Sequence, residues 1–190
     1  MDQLRIVSPA DIQADSLPGG IHTRATGVFS LFLTLCCVLL LITGCGTPAL
    51  TEGPTSLDDL GAQLVDALNR KDVHQLNTLM LTRREYSEIL YPALPLSKPD
   101  WNTPADVAWR MHVANRDKQQ DRIVAQWGAK QLQYVSLAYP GKPDTYPTLE
   151  VLRGAELIVR TREDREQTLT FVGSALKQGE RLKLIGWKDR

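Results

Sequence analysis

The sequence predicts an α+β domain in which helices come first and an antiparallel β-meander follows. Three observations point there. Leu57, Leu60, Leu64 and Leu68 recur at helical spacing, and helix-like segments continue to about residue 127. Strand-like segments replace them from residue 131 onward. The last strands are joined by links too short for a parallel return, which needs a long crossover. Helices and strands segregated along a chain in this way define the α+β class.

Residues 28–42 read VFSLFLTLCCVLLLI, with 13 apolar residues of 15. A membrane-spanning helix takes about 20 such residues. A run of roughly 7–15 suits the apolar core of a secretory signal peptide. Arg24 supplies a positive flank, and Thr43, Gly44 and Cys45 end the run in small residues. Leu41-Ile42-Thr43-Gly44-Cys45 resembles the lipobox of bacterial lipoprotein signal peptides: an aliphatic residue, two small residues and a Cys. The resemblance implies a thioether from Cys45 to diacylglycerol, cleavage before Cys45, and acylation of the new amino terminus. A thiol supplies the nucleophile, and small residues let an intramembrane peptidase close on extended backbone. Residues 1–44 are then the signal peptide, 45–56 the lipidated Cys with a flexible tether, and 57–190 the folded domain. Residues 1–27 carry Asp2, Asp11 and Asp15, which is acidic for such a leader. The second residue is Gly46 rather than the Asp that resembles an inner-membrane retention signal. A lipid-anchored, periplasm-facing protein, on the outer rather than the inner membrane, is the resulting expectation.

Cleavage before Cys45 leaves 146 of the 190 residues, with a net charge of +1 against 0 for the whole chain. Nucleic-acid binding needs an excess of Lys and Arg to neutralise phosphates, so that class is excluded. Cys36 and Cys37 leave with the leader. The remaining domain has no disulfide and is held by packing.

Residues 46–56, GTPALTEGPTS, have a linker composition. Ser56 is placed as an N-cap, with Asp58 and Asp59 in the first turn of a helix over 57–69. Asp72 caps a second helix carrying Val73, Leu76, Leu79 and Met80 inward. Thr82 to Glu85 fits a capping box leading to Tyr86, Ile89 and Leu90. Residues 91–103, with Pro92, Pro95 and Pro99, read as a stiff irregular loop. Pro104 opens a helix at its first position that runs to Trp127, with apolar stretches at Val107, Ala108 and Met111 and at Ile123, Val124 and Trp127, and a polar 116–122 that either bends or is solvated all round. Strands follow at 131–139 (covered on both sides), 155–161, 167–175 and 181–187, with turns at 163–166 and 177–179.

The helix–turn–helix LVDALNRKDVHQLNTLM (64–80) and the closing LTFVGSALKQGERLKLIGWKD (169–189) resemble the NTF2-like (SnoaL-like, cystatin-like cone) superfamily. That resemblance implies N-terminal helices packed on a curved antiparallel β-meander, with a pocket between them in many members. The 91–103 loop and the long helix after it depart from the pattern.

Candidate chemistry is sparse. His74 and His112 are too few for a metal site, which usually takes three or four ligands. No metal or other cofactor is expected. His112 lies three residues after Trp109 and four before Arg116, so the three share a helix face. The Arg lowers the imidazole pKa and fits it to accept a proton. The simpler reading is a helix histidine packed on Trp109. Glu156 is a candidate base if buried, but Arg160 and Arg162 on its face favour a solvated, charge-paired surface. Tyr86, Glu88, Tyr91 and Trp101 border a pocket mouth or anchor the core. Arg83-Arg84 and Arg160-Arg162-Arg165, interleaved with Glu, read as solvated faces rather than anion sites. Phosphate-loop and nucleophile-elbow motifs are absent, and Ser174 sits in a strand.

The leading expectation is a non-enzymatic envelope domain that binds a small molecule or a protein. An alternative is an acid/base enzyme on a small apolar substrate, using His112 or Glu156. Another is a structural subunit of an envelope complex, docking through its exposed sheet face or through the 91–103 loop with Leu94, Leu96 and Trp101. An interior filled by Trp109, Trp127 and Trp187 counts against the enzyme.

Overall fold

The structure is a computed structural model and describes residues 47–188. The leader, the Leu41–Cys45 motif and Cys45 itself lie outside the described residues. The class is α+β: helices pack on two open antiparallel sheets.

Helix α1 spans Leu57–Arg70, and the Ser56 side chain accepts from the Asp59 N–H as its cap. Leu60, Leu64 and Leu68 are fully buried on its inner face, each contributing about 1.5–3 kcal/mol by burial. Gly61 lies on the same face, where a Cβ would overlap the Tyr134 ring. Its lack of a side chain lets α1 lie close on the sheet. Lys71 ends the helix in the left-handed conformation, with its N–H bonded back to the last turn. Helix α2, Val73–Thr78, is capped by Asp72, as its spacing predicts. Leu76 is buried, but Val73 is 42% exposed, so it does not point inward as expected. It is the first residue of a two-turn helix whose inward position falls to Leu76. The Thr82–Glu85 capping box is present and opens α3, Arg83–Glu85, which continues as a π-turn over Tyr86–Leu90.

Residues 91–103 are more regular than expected. They form two 3₁₀ turns, Tyr91–Ala93 and Pro95–Ser97, each with Pro near its start, where a missing N–H costs nothing. Helix α4 spans Ala105–Trp127, and Pro104 is its extended N-cap rather than its first helical residue. Only Ala108 of the predicted 107–111 apolar group is buried; Met111 is 65% exposed. The polar stretch is not solvated all round either. Gln120 is buried and donates to the Asn77 side chain at 3.0 Å, joining α4 to α2.

The sheet region differs most from expectation. One three-stranded sheet has the order β1–β4–β5, with β1 Gln133–Ala138, β4 Glu156–Arg160 and β5 Glu166–Leu169. A four-stranded sheet has the order β2–β3–β6–β7, with β2 Asp144–Thr145, β3 Glu150–Leu152, β6 Ala175–Gln178 and β7 Arg181–Leu184. The chain is therefore not a simple meander, because β1 pairs β4 and β3 pairs β6 across sequence. The expected strand over 167–175 is split between the two sheets. Gly173 and Gly186 cause the break: the Gly173 N–H bonds the Gly186 carbonyl at 3.1 Å, and a Cβ on Gly173 would strike that carbonyl. Strand β1 is not covered on both sides. A register shift between Tyr134 and Ser136 throws Val135 outward, and it is 38% exposed. The expected turn at 177–179 narrows to Gly179-Glu180, since Gln178 pairs with Arg181.

Residues 79–81 cover the edge of β7. The Leu184 N–H bonds the Leu79 carbonyl at 2.8 Å, and the Leu81 N–H bonds the Leu184 carbonyl at 3.0 Å. Residues 47–54 are not a free tether. The Gln178 side chain accepts from the Leu50 N–H at 2.9 Å and donates to the Pro48 carbonyl at 3.1 Å. The Leu182 N–H bonds the Pro54 carbonyl at 2.9 Å, and Leu50 is buried beside Tyr86 and Leu176. No helix among the described residues is long and apolar enough to cross a membrane.

Candidate functional site

His112 is placed by the middle of α4, with Trp109 one turn before it and Arg116 one turn after. Spacings of three and four residues put all three on one face. The Trp109 and His112 rings are 5.7 Å apart, and the Arg116 guanidinium sits 5.7 Å over Trp109. The π-turn brings Tyr86 onto the same ring, stacked on His112 at 5.1 Å. Tyr86 also meets Trp109 at 5.3 Å and Tyr91 at 6.4 Å. Two groups that the sequence presents separately, the 86–91 aromatics and the 109–116 face, thus form one cluster.

His112 Nε2 is buried and has no hydrogen-bond partner among the described residues. Burial is the main reason its pKa lies below the ordinary value of 6.5, and the Arg116 charge adds to the lowering. The Ile185 backbone and the Asp117 carboxylate act the other way. The imidazole is therefore neutral at pH 7 and able to accept a proton or a hydrogen bond. Access limits what it can do. Tyr86 and Trp109 flank the ring, and a Cβ added at Gly186 would lie 3.5 Å from its Cε1 edge. A substrate reaches Nε2 only if one of these rings moves.

The other candidates lie elsewhere. Glu156 is exposed, opposite Ala138 at the start of β4, while Leu157 and Val159 take the inward face. It is not the buried carboxyl expected of a base, because strand alternation points it outward. Glu88 is exposed and paired with Arg84 at 3.0 Å. Trp101 is 68% exposed, and Leu96 is at the edge of exposure. Tyr91 donates to the Thr103 carbonyl and so ties the two ends of the Pro-rich loop. His74 is exposed on α2. Arg160 pairs with Asp164 and Glu166, Arg165 with Glu163, and Arg162 bonds Gln131. Arg160 and Arg165 are thus charge-paired surface, whereas Arg162 bonds the uncharged Gln131 amide. No group of three His, Cys, Asp or Glu is placed to hold a metal among the described residues.

Between α4 and the sheets, Phe171 stands between Trp127 and Trp187, with ring separations of 6.1 and 6.0 Å. All three are buried in the main core. Trp109 is not part of that core; it packs on the second cluster with Tyr86 and Leu149. Two of the three expected Trp, together with Phe171, are thus buried in the main core.

Two features escape a reading of the sequence alone. Gln178 clamps the 47–50 backbone through its side-chain amide, a contact across 128 residues or more that carries no local signal. Lys183 is 3% exposed on β7, with Nζ donating to the Thr78 carbonyl at 2.8 Å and lying 3.9 Å from Glu85. Glu85 is also the capping-box carboxylate, so this ion pair joins β7 to the start of α3.

No family model matches the chain, and neither a curated protein nor a solved structure is significantly similar to it.

Proposed function

We propose that this chain is a bacterial lipoprotein, cut before Cys45 and anchored by lipid on that residue. The mature part is a non-enzymatic, NTF2-like binding or accessory domain facing the periplasm, with the outer membrane favoured by Gly46. The observation that carries the anchor is the Leu41–Cys45 motif directly after the apolar run 28–42. Acyl chains contribute about 0.8 kcal/mol per buried CH₂, so two or three hold a protein of this size on a bilayer. The α1–α2 helix–turn–helix, the packing of α1 on β1 and the closing β6–β7 hairpin support the NTF2-like reading. The burial of Trp127, Phe171 and Trp187 in the main core supports a domain that acts by its surface.

The test is metabolic labelling with palmitate in a bacterial host, with membrane fractionation. The wild-type chain incorporates label and sediments with membranes; Cys45→Ser abolishes both. Unchanged labelling of Cys45→Ser refutes the anchor.

A second reading rests on the unpartnered His112 Nε2. Acid/base chemistry there requires Tyr86 or Trp109 to swing away and admit a small apolar substrate. Tyr86→Ala opens that path. A gain in binding of small apolar probes, lost again in the double variant with His112→Ala, is the outcome this reading requires.

A further inference from the structure

We propose that residues 47–54 are a strap that holds the β6–β7 hairpin end of the domain against the lipid headgroup surface. The inference rests on the lipoprotein reading of Cys45 and goes beyond it, because a lipidated Cys by itself leaves the orientation of the domain open.

The composition of 46–56 suggests a spacer with slack, but the backbone from Pro48 to Pro54 is tied down. The Gln178 amide takes the place of a strand backbone, bonding the Leu50 N–H and the Pro48 carbonyl. The Arg181 guanidinium donates to the Gly53 carbonyl at 2.8 Å. The Leu182 N–H bonds the Pro54 carbonyl, and the Leu50 side chain enters the second core. Gly53 is at φ 125, a conformation open to glycine, and a Cβ there would strike the Leu182 carbonyl. The strap therefore depends on glycine where it crosses β7.

Pro48 is three residue steps from Cys45, and extended backbone spans at most about 11 Å over that distance. A Cys45 whose acyl chains are in the bilayer keeps Pro48, and Gln178 bonded to it, close to the headgroups. The opposite end of the molecule is set by α1. It starts at Ser56, two residues past the strap, and its 14 residues run about 21 Å. At its far end the Asn69 side chain bonds the Leu132 backbone in both directions, and Gln131 bonds Arg162 beside Asp164. The Gly179-Glu180 turn is then the membrane-proximal end, and the 161–165 loop the distal one. Lys177 and Arg181 border the proximal turn, but Glu180 and the Glu150 partner of Lys177 offset their charge, so the short lipid tether rather than charge holds this end at the surface.

The experiment uses the lipidated protein, whose only other mature thiol sites are those introduced. A fluorophore is attached at Glu180→Cys, at Thr148→Cys beside the same turn, or at Asp164→Cys. Each protein is reconstituted in phosphatidylethanolamine–phosphatidylglycerol vesicles containing a nitroxide-headgroup phosphatidylcholine. Quenching several-fold stronger at 180 and 148 than at 164 is expected. A Gly-Ser insertion between Gly46 and Thr47 is expected to weaken it at both proximal positions. Equal quenching at all three positions, or quenching unaffected by the insertion, overturns the strap. Palmitate labelling of the same preparations separates the two claims. Labelled protein with uniform quenching refutes the strap alone, whereas unlabelled protein refutes the lipoprotein reading beneath it.

Discussion

His112 shows how burial rather than a catalytic partner sets the state of a side chain. Its folded pKa lies below 6.5, chiefly through desolvation. The folded state therefore binds fewer protons than the unfolded state. This contribution to stability is fully present above the unfolded value and is lost as pH falls from there through the depressed folded value. His112→Phe is expected to flatten that slope in denaturant titrations at pH 5 to 7; an unchanged slope contradicts the account. Gly61 is a second decisive position. Alanine there gains about 1 kcal/mol of helix propensity, while overpacking costs about 1–3 kcal/mol. The Tyr134 ring cannot swing freely, because its hydroxyl donates to Asp58 at 2.7 Å. Burial and that bond push the Tyr134 pKa up to about 12. The steric cost wins, so Gly61→Ala is expected to lower stability by about 1 kcal/mol in urea unfolding.

At the scale of elements, the helix starts were legible because their signals are local. Ser56, Asp72 and Thr82 each accept from a backbone N–H three residues on. Thr82→Ala is expected to cost about 1 kcal/mol, measured as a shift in the denaturant midpoint. The sheets were less legible. Residues 167–175 have strand composition throughout, yet Gly173 meets Gly186 and the chain changes sheet there. That contact spans 13 residues and exists only once both sheets are formed. Strands β2, between Pro143 and Pro147, and β3, just after Pro147, are two and three residues long, too short for any periodicity to register. The candidate site was half legible. Helical spacing gave the Trp109–His112–Arg116 face, but nothing local announced that a π-turn would lay Tyr86 on the imidazole.

For the whole molecule, the described domain is stabilised by packing, with Leu50 drawing the segment after Cys45 into the second core. Leu50→Ala is expected to cost about 2 kcal/mol, at the low end for a buried leucine because the site lies at the core's edge. With Cys45 lipidated as proposed, the same change is expected to loosen the link between anchor and domain. The reading as a lipid-anchored surface domain depends most on Cys45. Intact-mass spectrometry of protein extracted from bacterial membranes tests it directly. The account predicts a chain beginning at Cys45, with a diacylglycerol thioether and an added acyl group on its amino terminus. A membrane-extracted chain that retains residues 1–44 with unmodified Cys45 would contradict it.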